Sequence, residues 1–489
     1  MRPWLVAAGV AAALVGIVGE FRSPVNGDVA YMLDAAGRML GGERLYADLI
    51  DLNPPFMFWL SQPAAALADG AGSVTAFRVM VLALAAAMLA LAWPVSRGQP
   101  AMRAGFVLMA FMLPLGHFGE REHVMFCLVF PYVALAVRRA GTAAAGTGLA
   151  VAIGIAAGAG MALKPPAVLL AGALAIDQWR RAGSPRVLLR SEHIAAAATL
   201  GAALLLILAA APKYLDAVAD YAGLYAAFSR GNAVDLLFGH LYAVFVFVAL
   251  ALVAVTAASM RSRATITVLA LATLALHVSA IVQGKGFGYH YLPAHGFAVM
   301  ALAELVVAES NWRTGYAEFR RVAAGVALLV MLAAPAAVAF DRFRGKAADP
   351  LPDRQGLARA LAADSAGTSI AMLSIRLGDS YPLVLERRFD NVLAMPHLWF
   401  AGLEEGPAAS SLWARVASDI GGRQPDVVVV RAPGAGERGA GDIEFDYLRR
   451  LCGAPGTTAA LGRYGLAAHV TGYDIFRRDF KGAPACASS

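Results

Sequence analysis

Charge is scarce in this sequence. Asp, Glu, Lys and Arg make up 15% of its 489 residues while 59% are hydrophobic, too little charge to wet the surface of a soluble globule of this size. Cysteine is scarcer still. Cys127, Cys452 and Cys486 are the full set, which excludes a disulfide-rich module, and their spacing fits no zinc ribbon or finger. The sequence also lacks the phosphate-binding Walker pattern, HExxH and GxSxG, so the usual metalloprotease and serine-hydrolase readings lose their main support. There is no repeat of fixed period, and no two halves carry the matching broken helices that would mark a secondary transporter.

Apolar sequence of spanning length is what the chain has in abundance. The runs are Trp4 to Gly19 and residues 73–95, 104–118, 123–137, 146–163, 166–179, 193–211, 239–259, 265–282, 290–308 and 322–340. At roughly 20 residues per span they predict a polytopic α-helical membrane protein of about eleven transmembrane helices. The first run follows Arg2 and has no clear small-residue cleavage site before Glu20 and Phe21, so it reads as a retained anchor. A net charge of +7 in such a protein reflects basic cytoplasmic loops rather than nucleic-acid binding. With the amino terminus inside, Arg97 and Arg103, Arg138 and Arg139, Arg180 through Arg190, Arg261 and Arg263, and Arg313 through Arg321 all fall on the cytoplasmic side. The pattern closes only if Phe56 to Ala68 does not cross, which predicts a juxtamembrane or re-entrant helix there.

The opposite loops, at residues 20–72, 116–122, 164–166, 212–239 and 283–293, concentrate the acidic, histidine and tyrosine residues of the membrane half. From Asp341 the composition becomes mixed, with strand-like runs at Ser369 to Ser374, Val427 to Val430 and Val470 to Phe476. The expected organisation is a membrane domain over 1–340, with its first periplasmic loop at 20–72, and a C-terminal extramembrane α/β domain over 341–489 in the periplasm. There Cys452 and Cys486 either form a disulfide or stay free.

The first outer loop reads Asn26-Gly27-Asp28-Val29-Ala30-Tyr31, then Asp34, then Gly41 to Asp48, and closes on Asp51-Leu52-Asn53-Pro54-Pro55. Apolar positions from Val29 to Leu40 have helical spacing, which predicts a surface helix with Asp28 at its N-cap. Lys164 stands between two apolar runs, where an ammonium costs roughly 2.5 to 3.5 kcal/mol on insertion scales. It either snorkels to the interface or meets a lipid-linked phosphate. Lys285 and His290 lie among Gly284, Gly286 and Gly288: either a flexible turn, or a place where backbone N–H groups and two cationic side chains approach an anion.

His117, Glu120, Glu122 and His123 offer donors of metal-binding type, but their spacing matches no standard catalytic zinc motif. No metal is assigned, and a divalent ion stays open. Arg121 and Glu122 read more economically as a charge pair at a cavity mouth, with His117 and Glu120 as plain loop residues. Tyr214, Tyr221, Tyr225 and Phe228 have near-helical spacing and read as an interfacial aromatic belt.

In their order and common sidedness these segments resemble the GT-C glycosyltransferases, which include the protein O-mannosyltransferases and the aminoarabinose transferases of lipid A. Asp28 followed by Tyr31, the helix ended by Gly41, Tyr46-Ala47-Asp48 and the Asn53-Pro54-Pro55 corner resemble the family's first outer loop. The chain departs from it at Val29, where members usually carry Glu. Gly119-Glu120-Arg121-Glu122-His123 is similar to the second outer loop, with Glu in place of Asp. Ala162 to Pro166 resembles its lysine-proline corner, and Gly286 to Pro293 its late aromatic loop. The match covers residues 1–340 as architecture and four short segments as motifs.

The resemblance implies a GT-C-like fold and an enzyme that moves a sugar from a polyprenyl-phosphate donor to an envelope acceptor (a lipid, glycan or protein), usually with inversion. It implies action on the periplasmic side of a bacterial inner membrane, among membrane lipids, and no cofactor. The implied site has Asp28 as base and Glu122 as a second catalytic carboxylate. Tyr31, Asp34, Asp51, Asn53 and Tyr291 would line the substrate, and Lys164, Lys285, Arg121 and His290 would take the phosphate. Asp34, Asp51 or a later loop would supply the acid missing at Val29, and the C-terminal domain would cover the cavity and help to choose the acceptor. The competing readings are a transporter or flippase of a lipid-linked solute, and a non-catalytic envelope-assembly scaffold.

Overall fold

The structure, a computed structural model, describes residues 3–141, 143–227, 231–238, 241–256, 263–308, 315–345, 352–395, 398, 406–433 and 445–486. Phe228, Arg261 and Arg313, and both ends of the run expected at 239–259, lie outside the described residues. Ala- and Leu-rich sequence forms helices in the order α1 (Pro3–Phe21), α2 (Gly27–Leu40), α3 (Phe56–Leu67), α4 (Ala71–Ala92), α5 (Pro100–Phe111), α6 (Arg121–Ala140), α7 (Thr147–Leu163), α8 (Val168–Ala182), α9 (Ser191–Ala210), α10 (Tyr214–Ala227), α11 (Ala233–Phe238), α12 (Leu241–Thr256), α13 (Arg263–Val282), α14 (Leu292–Ala308) and α15 (Gly315–Phe343). Six of the described helical segments are long and apolar enough to cross a membrane: Ala71–Ala92, Arg121–Ala140, Ser191–Ala210, Ala264–Val282, Gly288–Val307 and Arg321–Phe343. The segment at 56–67 forms a helix, but its 12 residues reach only about 18 Å, well short of a hydrocarbon core of about 30 Å.

The chain divides into two compact units, each discontinuous in sequence. The first comprises Met1–Ser23, Arg78–Leu206 and Gly231–Ala347; the second comprises Pro24–Phe77, Ile207–Arg230 and Ala348–Ser489. The first unit is a helix bundle built around α6 and α14, whose side chains are mostly buried, whereas α9 and α15 keep most of theirs on the outside. Burial from bundle interior to lipid face gives helices little hydrophobic driving force in a membrane, so close approach depends on small residues. Gly154 and Gly158 of α7 supply it toward α9: a Cβ on either would run into the Glu192 or Ala196 backbone. Gly16 of α1 meets the α5 backbone at Phe111 and Met112 in the same way.

The second unit carries a five-stranded sheet in the order β2-β1-β3-β5-β4. Its strands are β1 (Ser369–Leu373), β2 (Asp390–Asn391), β3 (Val427–Arg431), β4 (Tyr464–Val470) and β5 (Tyr473–Arg478). β1 is parallel to both β2 and β3, and β5 is antiparallel to β3 and β4. Helices α16 (Pro352–Ala360), α17 (Leu377–Arg387), α18 (Pro407–Arg423), α19 (Tyr447–Cys452) and α20 (Thr457–Leu461) complete the unit. Leu357, Leu383 and Val384 pack with Ile370, Met372, Val427 and Val429 on one face. Leu412, Val416, Ile420 and Leu451 pack with Ala371, Leu373, Val428 and Val430 on the other. Cover on both faces is why the central strand is an unbroken valine run rather than an alternating one.

Two expectations are corrected here, and one left open is resolved. The run Val470 to Phe476 is not one strand: it straddles the β4–β5 turn, where Gly472 takes φ +75°, a value glycine adopts without steric cost. Tyr221 and Tyr225, expected in an interfacial belt, pack with Leu224 against the hydrophobic core of the α/β domain, while Tyr214 meets the Tyr46 ring at 5.0 Å. Cys452 and Cys486, left open between two states, form a disulfide.

Candidate functional site

In the first unit, three chain reversals bring their polar residues together. The loop before α6 turns through Gly119 at φ +80°, and α6 then opens with Arg121, Glu122 and His123, all buried. α7 stops at Leu163 because Lys164 precedes Pro165-Pro166: a residue before proline is pushed out of the helical region, and Lys164 sits at φ −139°, ψ 86°. The third reversal runs through Gly284 and Gly286, at φ +68° and +66°, and carries Lys285 into a one-turn 3-10 helix, Gly288–Tyr291, ahead of α14.

Glu122 is the hub. Its Oε1 lies 2.5 Å from Lys164 Nζ and 3.6 Å from His290 Nε2. Glu122 is 2% exposed and Lys164 8%, so the lysine does not snorkel to an interface; it is held inside by its counter-ion. Lys164 pairs with the Glu122 carboxylate, and Arg121 also acts on it. Arg121 and Lys285 join Lys164 and Glu122 in the electrostatic field at His290. Arg121, Lys164 and Lys285 thus share one buried neighbourhood with Glu122 and the nearby Glu120.

The neighbours fix this cluster rather than joining it. His123 accepts from the Gly119 N–H at Nδ1 (3.0 Å) and faces the Ala110 carbonyl through Nε2 (3.0 Å). A backbone N–H can only donate and a carbonyl only accept, so the ring is neutral with its proton on Nε2. With both nitrogens engaged, His123 latches α6 to the end of α5 and has no lone pair for a metal. His117 and Glu120, expected as plain loop residues, pair at 3.0 Å, and Glu120 is buried. Tyr291, expected to touch substrate, is fully buried and donates its hydroxyl to the Leu236 carbonyl at 2.5 Å. Tyr289 instead stands against His290, ring centroids 4.5 Å apart, and against His117 at 5.6 Å. Among the described residues no three His, Cys, Asp or Glu side chains are grouped to hold a metal ion.

The second unit holds the long first loop. The N-cap of α2 is Asn26, not Asp28: the Asn26 side chain accepts from the Asp28 N–H at 2.7 Å. Asp28 is thereby relieved of the capping role and stands half-buried in the first helical turn, where the helix dipole favours a carboxylate. Tyr31 donates to Asp51 at 2.7 Å, and Asp51 accepts from the Asn53 N–H at 2.5 Å. Tyr31 and Asp51 are 1% and 0% exposed, so this pair braces the loop from inside. Asn53 in turn accepts at its carbonyl from the Tyr46 hydroxyl. Asp34 lines a cleft of about 330 Å³ with Arg38, Asp69 and Arg388, and burial raises its carboxyl to about 6 despite the Arg38 charge beside it.

No protein-family model matches the chain, and no curated protein matches it in sequence. Solved structures do match. ArnT from Cupriavidus metallidurans, in a crystal structure bound to undecaprenyl phosphate, aligns with a TM-score of 0.54 at 15% identity, over 99% of this chain and 100% of that one. The apo state of the same protein gives 0.55 at 15% identity over 96% and 97%. This chain has the ArnT fold. The expected architecture, a multi-span helical membrane protein with a C-terminal mixed-sheet domain, is thereby shown along with the likeness to ArnT. At this identity the likeness is one of fold.

Proposed function

We propose that the chain is a polyprenyl-phosphate-sugar-dependent glycosyltransferase. The observation that carries this reading is the buried cluster of Lys164, Arg121 and Lys285 around Glu122, in a fold whose solved example holds undecaprenyl phosphate. In this reading Lys164, Arg121 and Lys285 take the charge that develops on the lipid phosphate as it leaves the anomeric carbon. Glu122, expected from the sequence as a catalytic carboxylate, becomes the counter-ion that keeps Lys164 charged and aimed. His290 stands on the other side of that carboxylate, 3.6 Å from it. Asp28 accepts the proton of the acceptor hydroxyl; its release from capping by Asn26 supports the assignment. The reaction lies on the periplasmic side of a bacterial inner membrane, the side opposite the arginine-rich loops.

The test is transfer or hydrolysis of a labelled polyprenyl-phosphate sugar by the purified chain in lipid, run with several donors, envelope extract as acceptor source, and Asp28→Asn at equal folded fraction. Turnover by the wild type that falls by at least about 10²-fold in the variant, the range for a positioned proton acceptor, is the expected result. No turnover with any donor would overturn the reading in favour of a transporter or scaffold, which uptake of lipid-linked sugar would separate.

A further inference from the structure

The first helix of the long loop is built against the α/β domain, backbone on backbone. Gly27, the first residue of α2, has no room for a side chain: a Cβ there would stand 2.5 Å from the Gly378 nitrogen and 2.6 Å from the Leu377 carbonyl carbon, both at the start of α17. Three more contacts hold the loop to the same platform. The Tyr31 and Tyr381 rings meet edge to face at 5.2 Å, and the Tyr381 hydroxyl is fixed by accepting from Asn391 of β2 at 2.8 Å. Arg38, near the far end of α2, donates to the Leu393 carbonyl at 3.0 Å. The Ile50 N–H donates to the Ala394 carbonyl at 2.7 Å. The platform is therefore α17 and the β2 edge, and it grips α2 at both ends.

We infer that the C-terminal domain positions the catalytic carboxylate: the Gly27–Gly378 contact and the Arg38–Leu393 bond set where α2, and with it Asp28, stands. This rests on the assignment of Asp28 as base. Gly27 is adjacent to Asp28 in sequence and lies in the same helical turn, so whatever displaces the Gly27 backbone displaces Asp28 with it. The close approach to α17 accounts for glycine at this position, since a Cβ there has no room. Gly37 on the same helix gives the internal comparison, because a Cβ there meets nothing within 4 Å. The domain's role is then placement of the base, which differs from the cover over the cavity expected from the sequence.

The experiment measures kcat and donor KM with a labelled polyprenyl-phosphate sugar for the full chain in lipid, alongside the thermal midpoint of each variant. Gly27→Ala should lower kcat at least tenfold with KM within twofold, as misplacement of a reacting group by under an ångström does, while Gly37→Ala leaves both unchanged. Arg38→Gln, which loosens the other grip without a steric clash, should lower kcat at least threefold at unchanged KM. It decides the matter if Gly27→Ala fails to fold. Wild-type kcat in Gly27→Ala and Arg38→Gln, with Asp28→Asn inactive, would overturn the inference and leave the base assignment standing. Wild-type turnover in Asp28→Asn would remove the base assignment, and this inference with it. A loss of kcat that tracks a fall in the thermal midpoint, with KM rising in step, would also overturn it in favour of a purely structural contact.

Discussion

Replacing Lys164 by methionine tests the centre of the cation cluster, and its cost follows from the geometry. The substitution keeps most of the side-chain volume and removes the ammonium 2.5 Å from Glu122. Glu122 is 2% exposed and cannot recover water, so it is left with His290 at 3.6 Å and the field of Arg121. Breaking one side of a buried pair costs about 3–5 kcal/mol, and the remaining cations place this case near the lower end. Glu122→Gln, which strands the ammonium instead, should cost a similar amount. The double variant strands neither charge, so the two effects should fail to add by about 3 kcal/mol. Reversible unfolding in mixed micelles, titrated with a denaturing detergent, measures all three. Sugar transfer separates structure from function in the same set: the double variant should regain stability but not turnover, because it has lost the phosphate's lysine. Single variants that each cost under about 1 kcal/mol, or costs that simply add, would refute the argument that the two charges are a desolvated pair.

Three further outcomes follow from other sites. His123→Ala leaves the Gly119 N–H and the Ala110 carbonyl buried and unbonded, and at about 1–3 kcal/mol per orphaned group it should lower stability by about 2–4 kcal/mol in the same titration, with added zinc restoring nothing. Asp34 has its carboxyl raised from 3.8 to about 6, so the native state holds that proton more tightly than the unfolded chain and stability is lost as pH rises from about 4 to 6. Asp34→Asn should therefore flatten the stability profile across that window and raise the thermal midpoint at neutral pH; a variant less stable than wild type at pH 7 would show that the carboxylate is needed. Removing the Cys452–Cys486 bond, with its sequence separation of 34, by a double serine substitution should cost about 3–4 kcal/mol, and a maleimide label should reach neither sulfur in the wild-type chain until a reductant is added.

The membrane half was legible because its signal is additive: apolar runs give helices, and the chain places helices at every run whose residues are described. The failure of the segment 56–67 to reach spanning length was legible too, from the charges around it. Single residues were harder. Asp28 and Asn26 are both good N-caps, and only the backbone shows that the helix begins two residues earlier than a cap at Asp28 implies, at Gly27. Lys164 announced that it needed a partner, but no local rule singles out Glu122, which is 42 residues away in sequence. Nothing in the sequence marks Tyr31 and Asp51 as a brace either, since a tyrosine and an acid in a loop look the same whether they face a ligand or each other. The hairpin inside Val470 to Phe476 was signalled by Gly472, a glycine between two strand-forming stretches.

One departure from the GT-C pattern bears on whether the chain is an enzyme or a scaffold. Val29 stands where such enzymes usually carry an acid, and from the sequence alone this reads as the loss of a functional group. In the folded chain Val29 is 3% exposed and Asp28 half-buried. Adjacent positions on a helix point about 100° apart, so the register that leaves Asp28 partly open turns residue 29 into the unit's interior. A carboxylate at that position would need a buried partner or would give up its charge. Valine there suits the buried face that α2 turns into the unit. The departure is thus a consequence of packing on one face of the helix, while the acid on the other face is retained. That weakens the chief argument for a scaffold that has lost its chemistry, and it makes Asp28 the residue on which the choice between enzyme and scaffold turns.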